Sequence, residues 1–158
     1  MIVSVNAAHA WTDTKTLAKV LSVSPDPACH SRALPGGFSR MPQGAGDLGQ
    51  RMQRAIAAFQ FRDVLLIGAD IPGVDGPAIA EGFAALKGHD VVIGPATDGG
   101  YWLIGRRAGV RLDVIDLSGV RWSTSNAMSD TCQLLRPRFR VAFGPVLSDV
   151  DDAADLRS

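Results

Sequence analysis

Two aspartates, Asp70 and Asp98, each come directly after an apolar segment and stand beside glycine or proline. The apolar segments cover residues 64–68 and 91–93, and each is typical of a strand that is buried on both faces. A carboxylate at the end of such a strand can accept a hydroxyl proton or stand near a metal ion. Since the carboxyl ends of parallel strands share one edge of a sheet, the repeated layout predicts a site at that edge.

The loop around Asp98 holds two further groups that favour binding. Gly99 and Gly100 allow backbone N–H groups to approach a ligand closely, because they carry no side chain. Tyr101 opens a second apolar segment directly afterwards. The spacing therefore indicates a ligand-binding turn between two strands.

A second set of carboxylates lies near the end of the chain, where Asp149, Asp151 and Asp152 crowd four positions. Like charges this close repel each other unless a cation or a helix N-terminus compensates them. They are therefore either the cap of a terminal helical turn or a source of a second metal ligand. Asp70 has the same two interpretations, since it is either a ligand of Mg²⁺ or Mn²⁺ or the cap of the turn before Pro72.

Gln43, Gly46 and Asp47 belong to a glycine-containing loop that precedes an amphipathic helix. Such a loop can bind an anion at the helix N-terminus. The spacing matches neither a Walker loop nor a dinucleotide-binding motif. The alternative is a flexible entry into the helix, with Asp47 and Gln50 as a capping box.

Trp122, Ser123 and Thr124 follow Arg121, so a cation, an aromatic plane and two hydroxyls meet at a predicted helix start. These groups could stack on a substrate or hydrogen-bond to it. The alternative is a tryptophan in the core, followed by a serine or threonine that caps the helix. The sequence does not decide between the two.

Apolar strands alternate with amphipathic helices, which predicts an α/β fold with a mostly parallel sheet and flanking helices. The absence of a linker or internal repeat predicts a single domain over residues 1–158. Residues 24–46 are predicted as a long loop. Strands are expected near residues 1–5, 20–24, 63–68, 90–94, 101–104 and 139–143. Helices are expected near residues 12–20, from Asp47, from Asp75 or Gly76, from Ser123 or Thr124 to about Leu135, and over 152–156.

The chain has 158 residues and a formal net charge of zero, with 46% hydrophobic and 20% charged residues. This composition is typical of a soluble globular protein and indicates neither nucleic acid nor a membrane surface as a partner. No apolar run has the length of a membrane span, and no signal peptide is recognisable. Cys29 and Cys132 lie in unrelated contexts, so free thiols and a cytoplasmic location are expected.

Taken together, five motifs resemble a bacterial family of glycosyltransferases that is related to the nucleotide-diphospho-sugar transferases of the GT-A fold. The resemblance extends from about residue 20 to residue 156, with the motifs in the family's order. The guanylyltransferases of deazaflavin and molybdenum cofactor synthesis are similar more distantly. The matching motifs are residues 43–52, 67–73, 94–105, 121–124 and 149–156.

The resemblance implies that Asp70 is the metal-binding carboxylate of the fold. It implies a second carboxylate from the end motif, with Asp151 preferred to Asp149, and Mg²⁺ or Mn²⁺ as the cofactor. Asp98, the candidate catalytic residue, would orient or deprotonate an acceptor hydroxyl. The residues implied to line the sugar or acceptor side with it are Gly99, Gly100 and Tyr101. The remaining candidate substrate-binding residues are Gln43, Gly46, Asp47, Trp122, Ser123 and Thr124.

The N-terminal segment departs from this family. Its members begin with a strand and a loop of the type Lys-x-Pro-x-x-Gly-x-Val-Lys-Thr-Arg-Leu, which holds the nucleotide. Residues 1–19 echo that loop only in Lys15, Thr16 and Leu17, and they contain no glycine that would let the backbone wrap a diphosphate. The domain is therefore N-terminally short, and weak binding of nucleoside diphosphates is expected.

The expected function is the metal-dependent transfer of a sugar from a nucleoside-diphosphate donor to a small-molecule acceptor. The expected partners are a nucleotide sugar and that acceptor, with no nucleic acid and no membrane. One alternative is nucleotidyl transfer to a phosphorylated small molecule, as in a guanylyltransferase. Another is a truncated, inactive member of the family that binds a ligand or partner without chemistry.

Overall fold

Strands and helices alternate along the chain, as the sequence predicts. The structure is a computed structural model that describes residues 2–3, 18–68, 71 and 73–147. The strands are β1 (Ile2–Val3), β2 (Val20–Val23), β3 (Ser39–Pro42), β4 (Val64–Ile67), β5 (Val91–Pro95), β6 (Tyr101–Arg106) and β7 (Val141–Phe143). The helices are α1 (Leu48–Ala57), α2 (Gly76–Ala85) and α3 (Ala127–Leu135), with 3₁₀ helices at Asp26–His30 and Leu112–Val114.

The strands form a seven-stranded mixed sheet in the order β3-β2-β1-β4-β6-β5-β7. All neighbouring pairs are parallel except those that involve β6, which runs antiparallel to both β4 and β5. The prediction of a mostly parallel sheet is therefore correct for six strands and wrong for β6. The turn 96–100 between β5 and β6 is too short for the crossover that a parallel connection requires.

This topology gathers the loops of interest at one edge of the sheet. Because β4, β5 and β7 share one direction, the segments that follow them leave the sheet on the same side. Since β6 runs in the opposite direction, it begins at that edge and ends at the other one. Among the described residues, this edge carries residues 68, 71, 73–75, 96–100 and 144–147, and we call it the carboxyl edge.

The core lies on both faces of the sheet, because successive residues of a strand point to opposite sides. On β4, Leu65 and Ile67 pack with α2, whereas Val64 packs with α1 and α3. The largest buried side chain is Trp102, on the α2 side. Each fully buried aliphatic side chain contributes about 1.5–3 kcal/mol of transfer free energy. None of the helices in the described part of the chain has the length and apolar character that a membrane crossing requires.

The prediction of a long loop over residues 24–46 is wrong in part. This segment contains a 3₁₀ helix and the strand β3, which pairs with β2 from Val20↔Ser39 to Val23↔Pro42. The strand is short and its side chains are half-buried or exposed, so it lacks the apolar pattern that marks a buried strand. The predicted helices over 12–20 and 152–156 fall mostly or wholly outside the described residues.

The predicted caps of α1 and α2 are confirmed. The N–H group of Gln50 donates to Asp47 Oδ1 at 2.8 Å, and the Asp47 N–H group donates to Gln50 Oε1 at 3.1 Å, which completes a capping box. Asp75 caps α2 by accepting from Ala78 N at 2.9 Å. The predicted start of α3 is wrong, because the helix begins at Ala127 and its first turn has no side-chain cap.

Replacement of Asp75 by alanine is expected to lower the free energy of unfolding by about 0.5–2 kcal/mol, because it removes the cap of α2. Glu81→Ala, at an exposed position of the same helix, is the matched control and should change stability by less than about 0.5 kcal/mol. Urea unfolding followed by circular dichroism measures both. Equal stability of the two variants would show that the cap does not contribute.

Candidate functional site

The segment that follows β7 runs beside the turn that follows β5. The Gly144 N–H group donates to Ile93 O at 2.8 Å, and the Leu147 N–H group donates to Pro95 O at 3.0 Å. Thr97 N donates in turn to Leu147 O at 3.0 Å. These bonds continue the parallel pairing of β5 and β7 past the ends of both strands. They therefore hold residues 144–147 next to the turn that carries Asp98.

The segment that follows β4 reaches the same place. The Gly68 N–H group donates to Trp102 O at 2.9 Å, and Ile71 and Val74 are buried in the core. A Cβ atom added at Gly73 would lie 3.7 Å from Leu147 Cδ2. The three loops of the carboxyl edge are therefore in contact through their described residues.

The three candidate metal ligands, Asp70, Asp149 and Asp151, lie outside the described residues. Their described neighbours, Gly68 and Leu147, belong to the contacting loops at the carboxyl edge. Among the residues that the structure describes, no group of three or more His, Cys, Asp or Glu side chains could hold a metal ion. The convergence of these carboxylates therefore stays a prediction.

Asp98 shapes the turn in which it lies. Its Oδ1 accepts from Gly100 N at 2.8 Å, and Gly99 N donates to Ala96 O at 3.2 Å. An aspartate that bonds the backbone two residues later forms an Asx turn. Asp98 is exposed, and no described residue donates to its other carboxylate oxygen. The side chain thus has one oxygen committed to the turn and one without a hydrogen-bond donor among the described residues.

Gly99 allows the turn to pack closely against the entrance of α3. Its φ angle is +89°, and a Cβ atom there would lie 2.3 Å from Ser125 O. The Met128 N–H group donates to Gly99 O at 3.2 Å. Both the backbone conformation and the close approach therefore require glycine at this position.

Tyr101 connects the start of β6 to α3. Thr131 Oγ1 lies 3.5 Å from the Tyr101 hydroxyl oxygen, and it donates to Ala127 O at 2.8 Å. Burial raises the pKa of Tyr101 to about 12, so the hydroxyl stays protonated near neutral pH. Tyr101 therefore belongs to the support of the Asp98 turn, with its ring packed on the core below α3.

The segment that precedes α3 is held by an ion pair. The Arg121 guanidinium donates from Nε to Asp130 Oδ2 at 2.9 Å and from Nη2 to Asp130 Oδ1 at 2.8 Å. The side-chain hydrogen bonds from Arg121 lower the pKa of Asp130 to about 2. Thr124 Oγ1 donates to Arg121 O at 2.7 Å and accepts from Asn126 N, while Ser123 has a φ angle of +57°. Arg121 and Thr124 thus stabilise this segment.

Trp122 joins the same segment to the start of α1. A Cβ atom at Gly49 would lie 2.9 Å from Trp122 Cζ2 and 3.3 Å from Asp47 Oδ1. The ring packs on the core, yet its Nε1 atom is buried and has no acceptor among the described residues. A buried donor without a partner costs about 1–3 kcal/mol. Trp122 therefore lies in the core, as one of the two interpretations of the sequence predicts, and its N–H group has no acceptor among the described residues.

The glycine-containing loop before α1 is ordered by two arginines of that helix. Arg51 Nε donates to Gly46 O at 2.8 Å. Arg54 donates from Nη2 to Ala45 O at 2.9 Å and from Nη1 to Gln43 O. The loop is thus fixed by charge-assisted hydrogen bonds and does not form a flexible entry into the helix.

The N-terminus of α1 already holds a negative group, because Asp47 accepts from Gln50 N with its own carboxylate. An incoming anion would meet this carboxylate at the position where it could otherwise accept from the first turn of the helix. Anion binding by the 43–47 loop stays a prediction, and any such contact must use backbone groups other than Gln50 N.

A cavity of about 220 Å³ lies at the opposite edge of the sheet, where β6 ends. Arg106 lines it, is buried, and donates to Ile56 O at 2.9 Å and Arg62 O at 3.0 Å. Burial lowers the pKa of the Arg106 guanidinium. One of these carbonyl groups lies in the last turn of α1 and the other lies in the connection to β4, so Arg106 stabilises this connection.

Two positioning residues, Arg40 and Trp102, are not predictable from the sequence. The Arg40 guanidinium donates to the carbonyl groups of Cys29 at 3.0 Å, Ser31 at 2.8 Å and Leu34 at 3.2 Å, and so holds the segment between β2 and β3. An arginine between a serine and a methionine gives no signal of this role. Trp102 stands inside the 94–105 motif, but its long-range partners depend on the fold.

The fold is shared with two crystal structures. One is of a "putative nucleotide-diphospho-sugar transferase" from Desulfovibrio desulfuricans, with a TM-score of 0.70 and 31% sequence identity over 85% of this chain and 60% of that protein. The other is of a Mycobacterium sp. strain JC1 homologue of a Mycobacterium tuberculosis protein, with a TM-score of 0.55 and 18% identity over 90% and 72% of the two chains. The second likeness shows the fold alone. No curated protein matches the chain.

The geometry defines the class of this protein. It is an α/β protein with a mixed sheet, and its candidate site lies at the carboxyl edge of that sheet. Residues 7–124 match DUF2064, a family described as an uncharacterized protein conserved in bacteria. The matched range is more than half of the 158 residues. The chain therefore belongs to the DUF2064 family.

The contribution of Asp130 to stability is expected to depend on pH. Because its pKa is lowered in the folded state to about 2, the contribution is complete above the ordinary value of about 4 and is lost as the pH falls toward 2. The difference in free energy of unfolding between the wild type and Asp130→Asn should therefore shrink over this interval. Urea unfolding at a series of pH values measures it.

The matched control removes the cation instead. In an Arg121→Gln background, Asp130→Asn should lose most of this pH dependence, because the group that lowers the pKa is gone. A wild-type difference that stays constant from pH 4 to pH 2 would contradict the assignment.

Proposed function

We propose that this protein is a glycosyltransferase that moves a sugar from a nucleoside-diphosphate donor to a small-molecule acceptor. Support comes from the 31% identity to the protein from Desulfovibrio desulfuricans over 85% of this chain. The chain spans 60% of the length of that protein. We also propose that the protein is related to the nucleotide-diphospho-sugar transferases of the GT-A fold. We further propose that residues 1–158 form a single domain.

The observation that carries the proposal is the contact of three loops at the carboxyl edge. Leu147 bonds to Pro95 and Thr97, and its side chain approaches Gly73. Loops at the carboxyl ends of parallel strands are where open α/β sheets bind their ligands. The described parts of the motifs 67–73 and 94–105 lie at this edge, and the described chain that leads to the motif 149–156 ends there at Leu147.

The metal part of the proposal assigns Asp70 and either Asp151 or Asp149 as ligands of Mg²⁺ or Mn²⁺. The donor set fits a hard divalent cation, because carboxylate oxygens together with phosphate oxygens are its preferred ligands. When bound, such an ion supplies neutralisation of the charge that develops on a leaving diphosphate. Gly68 and Leu147, which flank these aspartates, lie in the contacting loops.

Asp98 is the proposed catalytic residue. Its Oδ1 is fixed by the bond from Gly100 N, so the second carboxylate oxygen has a defined position at the edge. That oxygen would orient or deprotonate the acceptor hydroxyl, which needs a base within hydrogen-bond reach. Gly99 and Gly100 would line the acceptor side together with it, and Tyr101 would support them from the core.

The donor side of the proposed site is the surface between the Asp98 turn and the start of α1. The segment 121–126 connects these two places, since Ser125 lies against Gly99 and Trp122 lies against Gly49. The buried indole N–H group of Trp122 has no acceptor among the described residues, and it would donate to a polar ligand atom only if a substrate reached it. The other substrate contacts proposed here are Ser123, Thr124, Gln43, Gly46 and Asp47.

Asp98→Asn is expected to lower turnover by roughly 10²–10⁴-fold, because the amide oxygen can still accept from Gly100 N but the side chain cannot take a proton. Stability should change by less than about 0.5 kcal/mol. The assay incubates UDP- and GDP-sugars with Mn²⁺ and candidate hydroxyl acceptors and separates the products by chromatography. Asp98→Ala is the comparison, and it should lower stability as well because it removes the Asx turn.

The products distinguish the candidate functions. Free nucleoside diphosphate indicates sugar transfer, whereas pyrophosphate formed from a nucleoside triphosphate and a phosphorylated acceptor indicates nucleotidyl transfer. Full activity of Asp98→Asn would contradict the role of this carboxylate. Ligand binding without any product would indicate the binding-protein alternative.

Binding of UDP and GDP is expected to be weaker than low-micromolar and to require Mn²⁺. The reason is that residues 6–19 contain no glycine that could wrap a diphosphate, so the metal ligands carry the interaction. Isothermal titration calorimetry measures it, with Asp70→Asn expected to abolish it. Asp63→Asn is the matched control, because it removes the same charge where Asp63 accepts from Ala108 N, at the opposite edge.

Low-micromolar binding that Asp70→Asn abolishes would show that the N-terminal loop of the resembling family is dispensable here. Binding that is equal in the wild type and in Asp70→Asn would contradict the metal assignment.

A further inference from the structure

We propose that Trp102 is a positioning residue that ties together the loops of the carboxyl edge, and this inference rests on the proposed function. It would fix the backbone that leads to Asp70 and the backbone that leads to Asp149 without touching the substrate. Trp102 is the second residue of β6 and is 1% exposed.

The backbone of Trp102 holds the loop that follows β4. Its carbonyl oxygen accepts from Gly68 N at 2.9 Å, which extends the β4–β6 pairing by one bond past Ile67. Gly68 is two positions before Asp70. The direction in which the chain leaves β4 is therefore set by β6.

The side chain of Trp102 holds the segment that follows β7. Its Nε1 atom donates to Pro145 O at 2.9 Å, across 43 positions in sequence. Pro145 is four positions before Asp149. An indole N–H group can only donate, and this one is buried in the core, so the carbonyl group of Pro145 is its natural partner.

The sequence of β5 makes room for this contact. A Cβ atom at Gly94 would lie 2.5 Å from both Nε1 and Cε2 of Trp102. A side chain at this position would displace the indole from the path to Pro145. Gly94 therefore makes the contact of Trp102 possible. Because Gly94 has no side chain, the indole ring can cross over β5 toward the segment 144–147.

The hydrogen bond from Trp102 to Pro145 distinguishes a positioning role from simple core packing, because it connects β6 to the segment 144–147. Residues 144–147 have no regular secondary structure of their own apart from the bridge at Leu147. Their other ties are backbone bonds to Ile93, Pro95 and Thr97 on one side. Among the described residues, Trp102 supplies the side-chain bond to this segment, and it does so from the strand that also holds Gly68.

The test uses Trp102→Phe, which keeps an aromatic ring in the core but removes the N–H donor. Ile79→Val is the matched control, because Ile79 is fully buried in the same cluster and does not contact residues 144–147 through a hydrogen bond. Hydrogen exchange of the Thr97 and Leu147 amides is expected to become roughly two- to tenfold faster in Trp102→Phe than in the control. Exchange at the centre of β4 should be equal in the two variants.

The same two variants are also compared in a nucleotide-binding assay. Affinity for UDP or GDP in the presence of Mn²⁺ should fall in Trp102→Phe and stay near the wild-type value in Ile79→Val. Faster exchange in every strand, or exchange at Thr97 and Leu147 equal to the control, would overturn the inference. Local loosening with unchanged nucleotide affinity would overturn the positioning role as well.

The wild-type protein provides a test that does not depend on folding of a variant. In the ¹⁵N-labelled protein, the Trp102 indole N–H signal should exchange slowly with solvent, and fast exchange would overturn the inference. If the wild type neither binds nor turns over a nucleotide sugar, the proposed function fails. The exchange data at Thr97, Leu147 and the Trp102 indole then still decide whether the loops are tied in this way.

Discussion

The antiparallel insertion of β6 between β4 and β5 is the constraint on which the carboxyl edge depends. The turn 96–100 cannot carry a crossover, so β6 runs back along β5 and begins at the edge where β5 ends. Asp98 lies in this turn, and Trp102 lies just inside the strand. Because β6 also pairs with β4, one hairpin joins the strand before Asp70 to the turn that holds Asp98. Two motifs that are far apart in sequence are thereby held at the same edge.

A second connection crosses the edge in the other direction. The segment 121–126 lies against Gly99 at one end and against Gly49 at the other. The ion pair between Arg121 and Asp130 fastens this segment to α3, so its position does not depend on a bound ligand. One fastened segment therefore joins the Asp98 turn to the capped start of α1, and this would lower the ordering cost of binding at the proposed site.

The sequence predicts the elements whose signals are local, and it fails where pairing is long-range. The strands β4 and β5 and the caps at Asp47 and Asp75 follow from apolar runs and from residue types at fixed spacing. The direction of β6 is implied locally by the short connection of residues 96–100, whereas the strand β3 depends on a partner that local patterns do not reveal. The candidate site divides in the same way. The carboxyl edge is predictable from Asp98 and its neighbours, whereas the pairing of Arg121 with Asp130 is a tertiary contact.

The charges around the carboxyl edge give a physical reason for the metal dependence that we propose. Arg51 and Arg54 donate to carbonyl groups of the loop before α1, and Arg121 is paired with Asp130. The start of α1 is occupied by the carboxylate of Asp47. These described cations are therefore committed to the scaffold, and a diphosphate would gain little neutralisation from them. In the described part of the edge, Asp98 adds a further negative charge. In the proposed site, a doubly charged cation between carboxylates and phosphate oxygens would convert this repulsion into attraction, and the acidic groups that would repel a bare diphosphate would then help to attach it.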